Sequence, residues 1–184
     1  MSVFSNRSVD SPRERARYAG AILDLLGDSD PLPVLRKTPE AVTRAIHDLT
    51  RAQLGTPEGP HKWSIVQVLQ HLADSDLVWG WRVRLILAQD RPMITGYDQD
   101  LWAERLHYSE ADPDEAMATF DLLRRINVKL IDRASRAELK RVGLHSERGE
   151  ESIEYLLRLY AGHDLLHLRQ IERIRAVVAV RYEE

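Results

Sequence analysis

Apolar residues recur at intervals of three and four along most of the chain, which is the spacing of one face of an α-helix. The clearest stripe lies near the C-terminus and includes Ile153, Leu156, Tyr160, Ile171 and Val178. We find no persuasive strand-like alternation of apolar and polar residues, and the β-branched residues at 177–182 are predicted to end the last helix. The pattern therefore predicts long amphipathic helices.

Capping residues and prolines indicate where these helices begin. Ser11 and Glu14 form a capping box around Pro12, and Gly27 is a typical stop. Ser64 and Gln67 repeat the box, whereas Thr-Pro and Asp-Pro pairs begin two other stretches. The predicted helices cover residues 11–27, 38–55, 64–89, 112–135 and 152–180.

Turn residues separate the helices at residues 28–33, 55–60, 91–100 and 142–149. Long helices with connections of mixed length indicate an all-α helix bundle. The length of 184 residues fits one domain covering residues 1–184, in which residues 1–10 are predicted to be a loose, flexible arm.

Composition narrows the functional classes. The net charge of −3 argues against a nucleic-acid partner, and the arginines at 124 and 125 are interpreted as part of a solvated helix face. The chain has no apolar run of the roughly 20 residues that span a bilayer, and its start lacks a signal peptide's apolar region. With no cysteine, it offers neither a disulfide nor a thiol nucleophile. We expect a cytoplasmic protein without a membrane partner.

The segment HDLLH places His163 and His167 four residues apart, so both imidazoles point the same way from a helix and can share a metal ion. His71 is a candidate third ligand because it lies on an inward-facing stripe of another predicted helix. The alternative is that all three are core histidines bonded to neighbours. Asp164 gives HDLLH some likeness to the HExxH motif of zinc proteases, but Asp is shorter than Glu and no downstream ligand follows.

The ordered motifs identify a family resemblance. KWSIVQVLQHLADSD at residues 62–76 and AGHDLLHLRQIERIR at 161–175 resemble the DinB-like superfamily of metal-dependent enzymes. The likeness begins at PLPVLRKTPE (31–40) and includes GYDQDLWAERLHY (96–108) and RVGLHSERGEES (141–152). Each motif alone is weak, but their order is specific.

The resemblance implies a four-helix bundle with long connecting loops and an extra N-terminal helix. It also implies a divalent metal, usually zinc or nickel, held by His71, His163 and His167. Relatives include hydrolases and transferases that use a low-molecular-weight thiol, and many are homodimers. We therefore expect a small-molecule substrate, with a non-catalytic metal-binding, structural or interaction bundle as the alternative.

Other residues are candidates for the site. Asp74 and His145 are predicted to be catalytic, as a support for a ligand imidazole and as an acid or base in a loop. Arg82 and Tyr97 are predicted to bind a cofactor or substrate. Arg84 is two residues beyond Arg82, so only one of them can face inwards. Packing roles are expected for Trp63, Trp102 and Tyr108.

Overall fold

The computed structural model describes residues 11–183, so the predicted flexible arm at residues 1–10 lies outside the described residues. The helices are α1 (Pro12–Leu26), α2 (Pro31–Ile46), α3 (Arg51–Gly55), α4 (Ile65–Ala88), α5 (Gln99–Arg105), α6 (Pro113–Arg133), α7 (Arg136–Leu139) and α8 (Ile153–Glu183). The strands are β1 (Met93–Ile94), β2 (Val142–His145) and β3 (Gly149–Ser152), and a 3-10 turn covers Tyr108–Glu110.

Helices α2, α4, α6 and α8 form a four-helix bundle, which confirms the predicted fold class. Both α4 and α2 pack against α6 and α8, so α2 and α4 occupy opposite corners although they follow one another among the bundle helices. Helix α1 packs on α8 as the predicted extra helix. At Gly162 a Cβ atom would lie 2.1 Å from the carbonyl oxygen of Ile22, so only glycine lets α1 lie this close to the α8 backbone.

The predicted caps form. Ser11 and Glu14 make the capping box of α1, and Gly27 ends that helix with a φ of 56°. At the start of α4, the Ser64 amide donates to Gln67 Oε1 at 2.9 Å and the Gln67 amide donates back to Ser64 Oγ at 3.4 Å. These local rules place both helix starts at the predicted residues.

The predicted start of the second helix is wrong, because α2 begins at Pro31 and passes through Pro39. Asp30 caps it by accepting a hydrogen bond from the Leu32 amide at 3.1 Å. Pro39 has no N–H for the carbonyl oxygen of Leu35, four residues earlier. Arg124 of α6 donates to that oxygen at 2.8 Å, so a tertiary hydrogen bond replaces the missing helical one.

Residues 142–149 were predicted to be a loop, but β2 and β3 form an antiparallel hairpin there, and β1 pairs in parallel with β2. The parallel ladder includes hydrogen bonds from the Leu144 amide to Pro92 O at 2.8 Å and from the Ser146 amide to Ile94 O at 3.0 Å. Strands of two to four residues are too short for a visible alternation, and this pairing joins distant parts of the chain. The sheet is a small addition to a mostly helical fold.

The interpretation of Arg124 as a solvated residue is also wrong. Arg124 is 2% exposed and lies between two buried carboxylates. Its Nη2 donates to Asp76 Oδ2 at 2.7 Å and to Asp164 Oδ1 at 3.0 Å. Its neighbour Arg125 is exposed and paired with Asp121 at 3.0 Å, as a solvated face requires. We call Asp76, Arg124 and Asp164 the ion cluster.

Asp164 therefore belongs to the ion cluster. Its carboxylate is not available as the general base that a zinc protease motif needs at this position of HDLLH. Both of its carboxylate oxygens accept from the Arg124 guanidinium. Separately, among residues 11–183 none of the helices combines the length and the apolar character needed to cross a bilayer.

Candidate metal centre

The three histidines meet between α4 and α8, where His71 faces His163 and His167 from the opposite helix. His163 Nε2 lies 3.0 Å from His71 Nε2 and 3.1 Å from His167 Nε2. The spacing of four residues on α8 brings the two rings within 4.3 Å, measured between centroids. The structure thus brings together the three residues that the sequence predicted as metal ligands.

Burial keeps these imidazoles neutral. His71 and His167 are 1% exposed and His163 is 9% exposed. Burial lowers the pKa of His71 and of His163 well below the usual value. Repulsion between protonated rings of the cluster would lower both further, and the charge of Arg124 adds to this at His163. Burial lowers the pKa of His167 to about 4, against a hydrogen bond to Gln170 that raises it. Neutral imidazole is the form that binds a metal ion.

Hydrogen bonds among the rings do not satisfy the cluster. His167 Nδ1 lies 2.8 Å from Gln170 Oε1, an acceptor, so its proton is on Nδ1 and Nε2 carries a lone pair. His163 Nε2 is in close contact with both His71 Nε2 and His167 Nε2. Because a neutral His163 has only one ring proton, no proton lies between the two nitrogens in one of these contacts. The Nδ1 atoms of His71 and His163 have no hydrogen-bond partner within residues 11–183. The contact between Nε2 atoms that has no proton to share favours a metal site over the alternative of satisfied core histidines.

The donor set fits a divalent transition metal. With metal–nitrogen bonds of about 2.1 Å, ligand nitrogens are about 3.0 Å apart at a right angle and about 3.4 Å apart in a tetrahedron. The observed contacts of 3.0 and 3.1 Å match the lower value. The ligand atoms of His71, His163 and His167 all lie within 4.8 Å of one another. Three imidazoles suit zinc, nickel, copper or iron.

A cavity with a volume of about 60 Å³ opens beside His71 and His163. Helices α1, α4 and α8, the segment after β1 and the β2–β3 hairpin all contribute to its wall. The polar and aromatic residues in this wall are Tyr18, Ser75, Arg82, Tyr97, Gln99, Arg148 and Tyr160. The histidine cluster is therefore covered by protein on one side and faces a small cavity on the other.

Arg82 and Tyr97, the predicted cofactor-binding residues, both line this cavity. The Tyr97 hydroxyl lies 3.0 Å from Ser75 Oγ, which lies 3.4 Å from His71 Nε2. Burial raises the pKa of Tyr97, so the phenol keeps its proton at neutral pH. Arg84 is exposed and bonds to Asn127 at 2.8 Å, which confirms that only one of the two arginines faces inwards.

The two predicted catalytic residues are placed differently. Asp74 accepts a hydrogen bond from the Tyr108 hydroxyl at 2.6 Å and another from Gln70 at 3.3 Å, so its carboxylate is turned away from the histidines. His145 is buried at the end of β2 rather than exposed in a loop, and its Nδ1 accepts from the Glu147 amide at 3.2 Å. Neither residue lines the cavity.

Ser75 and Gln170 contact the ligand imidazoles, and sequence reasoning gave neither of them a role. Each lies three or four residues from a ligand on the same helix, Ser75 after His71 and Gln170 after His167. That spacing was the available signal. Trp63, expected to pack, lies with its ring 5.1 Å from the His71 ring and covers that side of the cluster.

Comparison with known proteins gives consistent results. The sequence model of the DinB superfamily matches residues 35–171. A Bacillus mycoides (strain KBAB4) protein named "Putative metal-dependent hydrolase" is 30% identical over 158 residues, covering 86% of this chain and 90% of that protein. A Bacillus cereus (strain B4264) protein with a name of the same form is 32% identical over 137 residues, covering 74% and 79%.

A solved structure shares the fold. It is described in the words "YfiT from Bacillus subtilis is a probable metal-dependent hydrolase with an unusual four-helix bundle topology". Its TM-score is 0.73 at 26% sequence identity, with 93% of this chain and 91% of that chain covered.

Proposed function

The chain belongs to the DinB superfamily, and from this premise we propose that it is a divalent-metal-dependent enzyme acting on a small molecule. His71, His163 and His167 are the proposed ligands, and zinc or nickel is the proposed metal. The observation that carries the proposal is the convergence of three buried imidazole Nε2 atoms beside a cavity. A cytoplasmic location stays a prediction.

The chain's own residues prepare the site. Gln170 fixes the His167 tautomer, so that Nε2 is free to bind metal. Trp63 excludes water from one side, and the Ser75–Tyr97 pair provides hydroxyl groups on the cavity side. His71, His163 and His167 would hold the divalent ion, which would supply a lowered pKa to a water or a thiol bound beside them.

Hydrolysis is the reaction supported by the names of the relatives. Transfer of a group to a low-molecular-weight thiol is the second candidate, and one observation favours it. Among residues 11–183, none that lines the cavity is an Asp or a Glu, and buried Tyr97 holds its proton, so the described part of the wall offers no general base for water. A thiol needs less help to ionise, and the chain itself has no cysteine. Asp74 and His145 stay predictions as catalytic residues, and the proposal does not depend on them.

Metal content decides the first part of the proposal. We expect about one divalent ion per chain in tag-free protein, measured by mass spectrometry, and none in a His163→Ala/His167→Ala variant. His47→Ala changes an exposed histidine and should keep the ion. A wild-type protein without metal, even after loading, would contradict the proposal.

Turnover separates an enzyme from a non-catalytic metal-binding bundle. Metal-loaded protein is screened with activated esters and with a thiol plus an electrophile. A signal that disappears in the double histidine variant supports an enzyme and identifies the reaction class. Stoichiometric metal without turnover in either screen would favour the non-catalytic alternative.

We also propose that the chain forms a homodimer. Exposed apolar side chains occur on the neighbouring helices α4 and α6, namely Leu77 (54% exposed), Trp81 (61%), Leu122 (49%) and Ile126 (42%). Apolar groups on adjacent helices are typical of a protein–protein contact. Light scattering should give twice the chain mass for wild type and the chain mass for Trp81→Glu; a wild-type monomer would contradict the proposal.

A further inference from the structure

Arg82 is a buried guanidinium in the wall of the cavity that also contains His71 and His163. Its side chain is 5% exposed. Nη1 donates to the Tyr160 hydroxyl at 3.2 Å and Nη2 donates to the carbonyl oxygen of Thr95. Nε has no hydrogen-bond partner within residues 11–183. All the acceptors of Arg82 are therefore neutral, and one of its three donor nitrogens, Nε, is unused.

Two other arginines show what a compensated charge looks like in this protein. Arg124 lies between Asp76 and Asp164, and Arg148, which also lines the cavity, is paired with Glu151 at 2.6 Å. Within the part of the chain that the structure describes, Arg82 has no such partner, although a guanidinium stays protonated in proteins. A buried charge without a counter-charge is unfavourable. Among residues 11–183, the positive charge of Arg82 is therefore not compensated by an acidic side chain.

The surroundings favour an anion. The described residues that line the cavity include no Asp or Glu, and burial raises the pKa of Tyr160, which keeps that phenol neutral. Once Tyr160 has accepted from Arg82, its own O–H remains a donor. The Tyr160 ring is also 6.0 Å from the His163 ring. Arg82 and the histidine cluster are therefore separated by about one tyrosine side chain, a span that a small molecule covers.

We propose that Arg82 binds a carboxylate of the substrate, so that the metal centre acts on small molecules with a carboxylate at one end and the reacting group at the other. A carboxylate is planar and accepts two hydrogen bonds, which matches a guanidinium edge. Its small size also suits a cavity of about 60 Å³. This inference rests on the proposed function for the reaction, but the carboxylate site itself does not require metal.

The test uses metal-free full-length protein and three probes in an NMR titration at constant ionic strength. The probes are butyrate, its uncharged isostere butyramide, and inorganic phosphate. We expect butyrate to bind and butyramide not to bind. Arg82→Gln should weaken butyrate binding at least about tenfold. Arg84→Gln is the matched control, because this exposed arginine of the same helix lies outside the cavity, and its affinity for butyrate should be unchanged.

Several outcomes would overturn the proposal. Equal binding of butyrate and butyramide by wild type excludes a charge-selective site without any variant. Unchanged butyrate affinity in Arg82→Gln places the anion elsewhere, and tighter binding of phosphate than of butyrate excludes the carboxylate class. If Arg82→Gln does not fold, Arg82→Lys replaces it, and unchanged affinity there removes the role of the guanidinium. Metal content is measured separately, so failure here is distinguishable from failure of the metal centre.

Folding of Arg82→Gln is itself informative. Because the change removes an uncompensated buried charge, the unliganded variant should unfold at the same temperature as wild type or at a higher one. A strongly lowered midpoint would show that Arg82 also stabilises the fold, and butyrate affinity in Arg82→Lys then decides whether its guanidinium binds the carboxylate.

Discussion

Two polar clusters are buried in the same bundle, and their residues are neighbours in sequence. His163 of the histidine cluster precedes Asp164 of the ion cluster, and both clusters join α4 to α8. In the ion cluster, Arg124 donates to two carboxylates and to the carbonyl oxygen of Leu35, so its members satisfy one another. The histidines do not satisfy one another. This difference indicates that the ion cluster stabilises the bundle, whereas the histidine cluster is available to bind a ligand.

The largest effect on stability is expected when the ion cluster is disrupted. Arg124→Met leaves two buried carboxylates without their partner and should lower the free energy of unfolding by about 3–5 kcal/mol. Urea unfolding of metal-free protein measures it. Arg125→Met, one position away and exposed, should change stability by less than about 0.5 kcal/mol. A loss below about 1 kcal/mol for Arg124→Met would mean that the ion cluster is not a structural requirement.

The next effect concerns metal binding by the histidine cluster. Saturating zinc at about a thousand times its dissociation constant should stabilise wild type by about 4 kcal/mol. The His163→Ala/His167→Ala variant should gain nothing from zinc, because the ligands are absent. Thermal unfolding with and without zinc measures the difference, and His47→Ala serves as the exposed-histidine control. An equal gain in the double variant would place the metal elsewhere.

A smaller effect on the stability of the metal-free protein is expected when the pH is lowered. Since burial lowers the pKa of His167 to about 4, its contribution to stability is complete above the unfolded value of about 6.5 and is lost as pH falls towards 4. The loss is up to about 3 kcal/mol for this residue. Metal-free wild type should therefore lose stability over this range relative to His167→Gln, as urea unfolding at several pH values would show.

Asp76 acts in the opposite direction over almost the same range. Burial raises its pKa to about 6, against the lowering effect of Arg124, so its contribution to stability grows as pH falls from 6 towards 4. Both proteins contain Asp76, so its effect cancels in the difference between wild type and His167→Gln. Parallel stability curves for the two proteins would contradict the assignment of a lowered pKa to His167.

The smallest expected effect concerns the hydrogen bond between Gln170 and the proposed metal ligand His167. Gln170→Leu removes the acceptor of the His167 Nδ1 proton and should weaken metal affinity about 10- to 100-fold while one ion per chain still binds at saturation. Competition with a chelator measures the affinity. Glu172→Gln, an exposed change on the same helix, should leave it unaltered, and equal affinities in all three proteins would remove Gln170 from the site.

The sequence predicts what depends on local rules. Caps at Ser11 and Ser64 begin helices where they were predicted, and the four-residue spacing of His163 and His167 puts both rings on one face. Inward-facing stripes pointed to His71 as the third ligand. The start of α2 was missed because Pro39 was interpreted as a helix start, whereas Arg124 compensates for it from another helix. No local pattern contains that contact.

The same limit applies around the metal centre. Asp74 and Ser75 lie three and four residues after His71, and the spacing rule allows either one to support it. Packing decides between them, since the 3-10 turn brings Tyr108 to Asp74 and leaves Ser75 facing the cavity. Likewise, Arg124 was interpreted as part of a solvated helix face, and nothing in the sequence connects it with Asp76 or Asp164. Only the assembled bundle shows that they compensate one another.

The close approach of α1 to Gly162 makes the shape of the cavity depend on one backbone contact. Helix α1 (Pro12–Leu26) supplies Tyr18, Ala19 and Ile22 to the cavity wall. Because a Cβ atom at residue 162 would lie 2.1 Å from the carbonyl oxygen of Ile22, a side chain there would push α1 away from α8. A single substitution beside His163 would therefore move the wall that a substrate contacts without removing any of the three histidines.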